Sequence, residues 1–309
     1  MGDMFEQLTF RALWTPELII VLAVVAALYV ILTRKWYVRF EGGQKPRPKH
    51  DFLFGLALLC LYLGWGSPLY SIGHMTITIH MIQMVCAYFF TVPLMIIALP
   101  KWFLHAAFEG LGKYAYTLRN VMFHPITCLF VFNALFSFYH IPVVFDYLML
   151  NPGVHSLYEI AMFIAAWMMW WHMIAPLPSK QYLHDFPRIF YIFGNGLLIT
   201  PACALIIFSG YALFDTYTDM QYWQSVMAYC LPPNAGVSSD MFGGMGILGQ
   251  LPPYTDQQLA GILMKVVQEI LYAMAIGVSF KEWLQKDSHQ DSGEPSISDI
   301  PEHVRIGDR

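Results

Sequence analysis

Residues 16–50 read PELIIVLAVVAALYVILTRKWYVRFEGGQKPRPKH. The first part, 16–33, is an apolar run opened by Pro16 and closed abruptly by Arg34-Lys35. A helix needs roughly 20 apolar residues to cross the hydrocarbon of a bilayer, so this run is long enough to span. The second part, 34–50, carries six basic residues: Arg34, Lys35, Arg39, Lys45, Arg47 and Lys49. An apolar run that ends in a basic cluster marks a membrane span and the side on which it emerges. Six further runs of similar character follow, at 51–70, 75–99, 122–141, 156–175, 189–213 and 258–280. Prolines 68, 100, 142, 176 and 187 punctuate their ends, where helices start or stop.

The basic residues repeat the pattern of the first gap. Segment 101–119 has three, 180–188 has two, and the tail after 280 has four. With the first six, that is 15 of 17 Lys and Arg in alternate gaps; Arg11 stands in an opposite gap and Lys265 inside a run. Positive charge collects on the cytoplasmic side of membrane proteins. The expected fold is therefore an all-α, polytopic bundle of seven transmembrane helices, N-terminus outside and C-terminus cytoplasmic. The expected membrane domain is 1–285, followed by a disordered polar tail at 286–309. The N-terminus lacks the basic region and cleavage site of a signal peptide, so the first run is expected to remain as a helix.

Composition agrees. The chain is 57% hydrophobic and 12% charged, with a mean hydropathy of +0.49, against about 25% charged in soluble domains. A net charge of -4 gives no basic surface for nucleic acid. The five cysteines are scattered, without a CxxC pair, and four lie in apolar runs, as buried free thiols do. The outward segment 214–257 has no Lys or Arg. It reads either as an interfacial helix with Tyr222, Trp223 and Tyr229 as belt residues under a turn-rich cap, or as a docking segment. Met241 and Met245 in it could pass an ion inward or simply pack. Trp167, Trp170 and Trp171 fall where an inner aromatic belt is expected. Lys265 and Glu269, at i, i+4, are expected to pair.

The eleven histidines sort by depth. His74, His80, His140 and His155 fall at the outer ends of three successive runs, and successive elements joined by short links tend to be neighbours. Four imidazoles could thus meet in one outward-facing pocket. The stretch HMTITIHMIQM at 74–84 adds Met75, Met81 and Met84. Imidazole with thioether suits copper, and thioether particularly suits Cu(I). The plain alternative is interfacial hydrogen-bonding histidines beside methionines that fill the core. A third reading uses the same residues as haem ligands, an outer pair of His80 with His140 or His155 and an inner pair of His105 or His124 with His172. The inner histidines lie beside prolines or in a loop, which counts against it.

Five strings carry a family resemblance: GHMTITIHMIQM (73–84), FNALFSFYHIP (132–142), VHSLYEIAMFIAAWMMWWHMIAPLP (154–178), YIFGNGLLITPACALIIF (191–208) and TDQQLAGILMKVVQEI (255–270). Together, in this order, they resemble the CtaG family of cytochrome c oxidase assembly factors, the seven-helix bacterial type rather than the single-span copper chaperone that shares the name. The resemblance implies a multi-pass protein of the bacterial plasma membrane, not an enzyme. It implies a role in assembling a haem-copper oxidase, with copper, as Cu(I), handled and passed on by ligand exchange. The family's histidines carry over as His74, His80, His140 and His155, with Met81 and Met84 as secondary candidates. The implied partners are oxidase subunit I or II, a copper chaperone, the lipid bilayer and a second copy of the chain. A metal-free scaffold for oxidase subunits and a b-type haem oxidoreductase remain the alternatives.

Overall fold

The computed structural model describes residues 8–110, 124–177, 183, 185–231 and 251–291. These residues form helices and the turns between them, with no strand among them. A short α1 (Phe10–Trp14) turns through Thr15 into α2 (Pro16–Val30), which is prolonged by a π turn at Ile31–Lys35. Next come α3 (Pro48–Trp65), α4 (Pro68–Gly73), α5 (Ile77–Met84) and, beyond a π turn at Val85–Phe90, α6 (Thr91–Ala98). The middle of the chain holds α7 (Lys101–Glu109), α8 (Pro125–Tyr139), α9 (Pro142–Leu150) and α10 (Pro152–Ile174). The last four are α11 (Asp185–Phe208), α12 (Asp215–Thr218), α13 (Met220–Met227) and α14 (Pro253–Asp291).

Seven of these helices, α2, α3, α4, α8, α9, α10 and α14, open with proline in their first two positions. Proline costs nothing there, because the first N–H groups of a helix have no partner in any case. Inside a helix it does cost. Pro93 has no N–H to offer the carbonyl four residues back, and the chain widens just before it into the π turn at Val85–Phe90. The side chains of Thr91 and Trp170 take up carbonyls in this turn: Thr91 Oγ1 donates to Cys86 at 2.8 Å and Trp170 Nε1 to Tyr88 at 3.0 Å.

Among the described residues, six helical segments are long and apolar enough to span a membrane, and α8 with α9 makes a seventh if the pair is one broken span, bent by 77°. The bend follows from Pro142. Proline disfavours helical geometry in the residue before it, and Ile141 is accordingly extended (φ -68°, ψ 125°). Residues 142–150, expected as a link, are thus a separate helix set at 77° to α8. Residues 286–291, expected to begin the tail, continue α14; the rest of that expectation lies outside the described residues.

The core is aromatic and methionine-rich. Phe89 packs against Phe132 of α8 (ring centroids 5.9 Å apart) and Tyr272 of α14 (6.2 Å). Trp170 and Trp171 are buried rather than arrayed as a belt. Apolar side chains such as Ile20, Val24, Phe190, Phe193, Leu197, Ile270 and Val278 stay exposed on the outside of the bundle. A water-soluble surface would not present so much apolar area, and hydrocarbon would cover it. Lys265 and Glu269 pair at 2.5 Å, and Lys265 also donates to the Gly196 carbonyl, Thr200 and Gln268. The five cysteines are free.

Candidate functional site

The four outer histidines come together, and each is placed by the end of a helix. His74 caps the C-terminus of α4, and His80 lies in the first turns of α5. His140 caps α8 at the bend before Pro142, and His155 is in the first turn of α10. His80, His140 and His155 are buried. The ring centroids of His80 and His155 are 6.4 Å apart, those of His74 and His155 6.3 Å, and His80 lies within electrostatic range of the other three.

Tyr139 is the centre of the group. Its buried hydroxyl lies 2.7 Å from His155 Nε2 and 3.2 Å from His80 Nε2. Both nitrogens therefore aim at one point. A phenol has one hydrogen to donate, so one imidazole accepts it and the other donates to the same oxygen. The Tyr139 ring stacks parallel to His80, with Phe145 edge-on to both. Beyond His155 stands Glu159, one helical turn on, with Oε1 3.9 Å from Nε2. Tyr70 Oη donates to the other carboxylate oxygen of Glu159 at 3.4 Å.

The remaining two histidines have their tautomers set by backbone carbonyls. His74 Nδ1 is 2.8 Å from the Tyr70 carbonyl, and His140 Nδ1 is 2.7 Å from the Phe136 carbonyl. A carbonyl only accepts, so Nδ1 carries the hydrogen in both rings and Nε2 presents a bare lone pair. The Nε2 atom of His140 is buried with no hydrogen-bond partner. Burial pushes the pKa of His74 below its ordinary value, keeping the ring neutral near pH 7. Neutral imidazoles with the outer nitrogen free are the form that binds soft and borderline metals, and a carbonyl bonded to the other nitrogen is the usual support.

Several contacts hold this end rigid. Asp256 of α14 accepts from the first two amides of α5, Ile77 N at 2.9 Å and Thr78 N at 3.2 Å. Gln83 Nε2 donates to the Leu69 carbonyl at 2.6 Å, and a side chain at Gly73 would collide with the Gln83 amide. Tyr217 of α12 reaches back to the Gly73 carbonyl at 2.8 Å. Asp146 plays for α12 the part that Asp256 plays for α5, accepting from Asp215 N and Thr216 N.

Other expectations fare differently. Met81 and Met84 are buried in the main apolar core. Met75 sits in a separate cluster with Leu8, Leu13, Trp223, Met227 and Cys230. Trp223 is fully buried under α1 instead of lying at an interface, because α13 turns its apolar face inward against the N-terminal helix. Met241 and Met245 lie outside the described residues. Between His80 and His155 the Tyr139 hydroxyl occupies the point on which both Nε2 atoms converge, with Phe145 edge-on beside it, which counts against a haem held by that pair. At the other end, His105 and His124 are exposed whereas His172 is buried against Tyr191. Among the described residues, no three His, Cys, Asp or Glu side chains already stand at metal-binding geometry.

Tyr139, Glu159 and Tyr70 were not singled out in the sequence. Glu159 had a signal: it is a carboxylate in a run expected to cross the membrane, where ionisable residues are costly and usually functional. Tyr139 had only its place beside His140.

Residues 27–286 match the family model of the cytochrome c oxidase caa3 assembly factor. No curated protein and no solved structure matches the chain.

Proposed function

The chain belongs to the cytochrome c oxidase caa3 assembly factor family, and from that premise we propose that this multi-pass membrane protein hands copper to a haem-copper oxidase through its histidine cluster. One observation supports this above the others. Two Nε2 atoms converge on a single buried oxygen while a third, on His140, is buried and unpartnered. Unmet nitrogen lone pairs in an apolar site are costly, about 1–3 kcal/mol each, and a Cu(I) ion is a ligand that such a set accepts. The cargo would be held by two or three of His74, His80, His140 and His155. The Tyr139 hydroxyl, already bonded to two of them, would move aside on loading and return on release. Such a transfer is ligand exchange and needs no catalytic group. The cluster end is proposed to face outward, a reading supported by the distribution of basic residues. Subunit I, whose copper lies within the membrane, is the favoured recipient over subunit II.

A metal-free scaffold is the second reading. Its support is that two of the four imidazoles are satisfied by Tyr139 as they stand, and that among the described residues no three His, Cys, Asp or Glu side chains form a ready metal site.

The test is the copper content of the membrane oxidase in a deletion strain. Complementation uses wild type and a His80→Ala, His155→Ala double variant, with equal amounts of each in the membrane. Copper handling predicts that wild type restores the oxidase copper and the variant does not. Full copper loading with the variant would assign the histidines a structural role and favour the scaffold.

A further inference from the structure

We propose that a groove at the opposite end of the bundle binds one phosphatidylethanolamine molecule, its acyl chain along apolar walls and its headgroup on Arg188 and Glu282. The groove has a volume of about 440 Å³ and runs between the Pro93 region, α10, α11 and α14. Phe90, Ile97, Trp170 and Met274 form part of its wall. Ile97 is 48% and Met274 62% exposed, so the groove opens sideways towards the bilayer. An acyl chain is the apolar ligand available from that direction.

The polar end of the groove narrows the choice. Arg188 is 2% exposed, yet its Nε–H has no partner. Its Nη2 donates to Glu282 Oε2 at 2.5 Å, and the Glu282 side chain is 45% exposed. The pair is neutral overall and offers two unlike handles, an unmet guanidinium N–H and an accessible carboxylate. A phosphodiester complements the first as an acceptor. A primary ammonium complements the second as a donor. Phosphatidylethanolamine carries both groups at adjacent positions. Phosphatidylglycerol lacks the ammonium and meets the carboxylate as a like charge, whereas phosphatidylcholine has a cation with no N–H to donate.

The experiment is native mass spectrometry of the full chain released from detergent, with dioleoyl forms of the three lipids added in turn. One phosphatidylethanolamine should be retained roughly tenfold more than either other lipid, the worth of one charge-assisted hydrogen bond. Glu282→Gln should abolish the preference over phosphatidylglycerol, and Arg188→Gln should lose retention of all three. Met274→Trp, which fills the groove from its exposed rim, should also lose retention and serves if Arg188→Gln does not fold. Equal retention of the three lipids by wild type and variants would overturn the proposal. So would displacement of the lipid by free phosphoethanolamine, since that would make the apolar groove irrelevant.

Discussion

Tyr139 is the residue on which the candidate site turns. Its hydroxyl satisfies His80 and His155 together. Replacing it by phenylalanine leaves two buried imidazole nitrogens without a partner, which costs about 1–3 kcal/mol. Tyr139→Phe should therefore lower the thermal midpoint of the protein in detergent. On the copper-handling reading it should also retain or tighten Cu(I) binding, because the hydroxyl occupies the point on which the two Nε2 atoms converge. Thermal unfolding alongside Cu(I) titration against a chromophoric chelator reads both effects. A variant of normal stability would show that the hydroxyl carries no weight. Loss of Cu(I) binding from a folded variant would make Tyr139 a ligand rather than a place-holder.

Among the elements, α5 carries the most consequence, since it holds His80 and is anchored from afar. Its N-terminal amides are bonded by Asp256, 179 and 178 positions later in the chain. An acidic group at a helix N-terminus satisfies orphan donors and complements the helix dipole. Removing a capping side chain typically costs about 0.5–2 kcal/mol. Asp256→Ala should lower the unfolding temperature by more than Asp256→Asn, which keeps an acceptor, as scanning calorimetry would show. Equal midpoints for both variants and wild type would mean that α5 is held by packing alone. The break between α8 and α9 was partly legible, because Pro142 forbids helix at Ile141. That residues 142–150 then form a helix of their own was not, since their apolar residues fit a span, a link or a separate helix equally well.

For the whole molecule, orientation in the bilayer decides which copper pool the cluster meets. The proposed orientation places Gly153, near the histidine cluster, outside and Gln44, in the basic gap, inside. A side chain at Gly153 meets no atom within 4 Å, and Gln44 is exposed, so both accept a reporter cysteine. In a background without native cysteines, Gly153→Cys should react with an impermeant maleimide in intact cells. Gln44→Cys should react only after permeabilisation. The reverse pattern would turn the molecule over and direct the cluster to cytoplasmic copper.

The all-helical class and a set of six to seven apolar spans were determined by the sequence itself. These follow from one-dimensional quantities, apolar run length and the placing of charge and proline, which a bilayer reads directly. The four histidines were legible for the same reason, as residues of one depth on successive spans. Rotation of each helix about its axis leaves no such trace, because hydrocarbon accepts apolar side chains on every face. Only the packed bundle therefore decided that Tyr139 stands between His80 and His155, that Trp170, Trp171 and Trp223 are buried, and that Met81 and Met84 belong to the core.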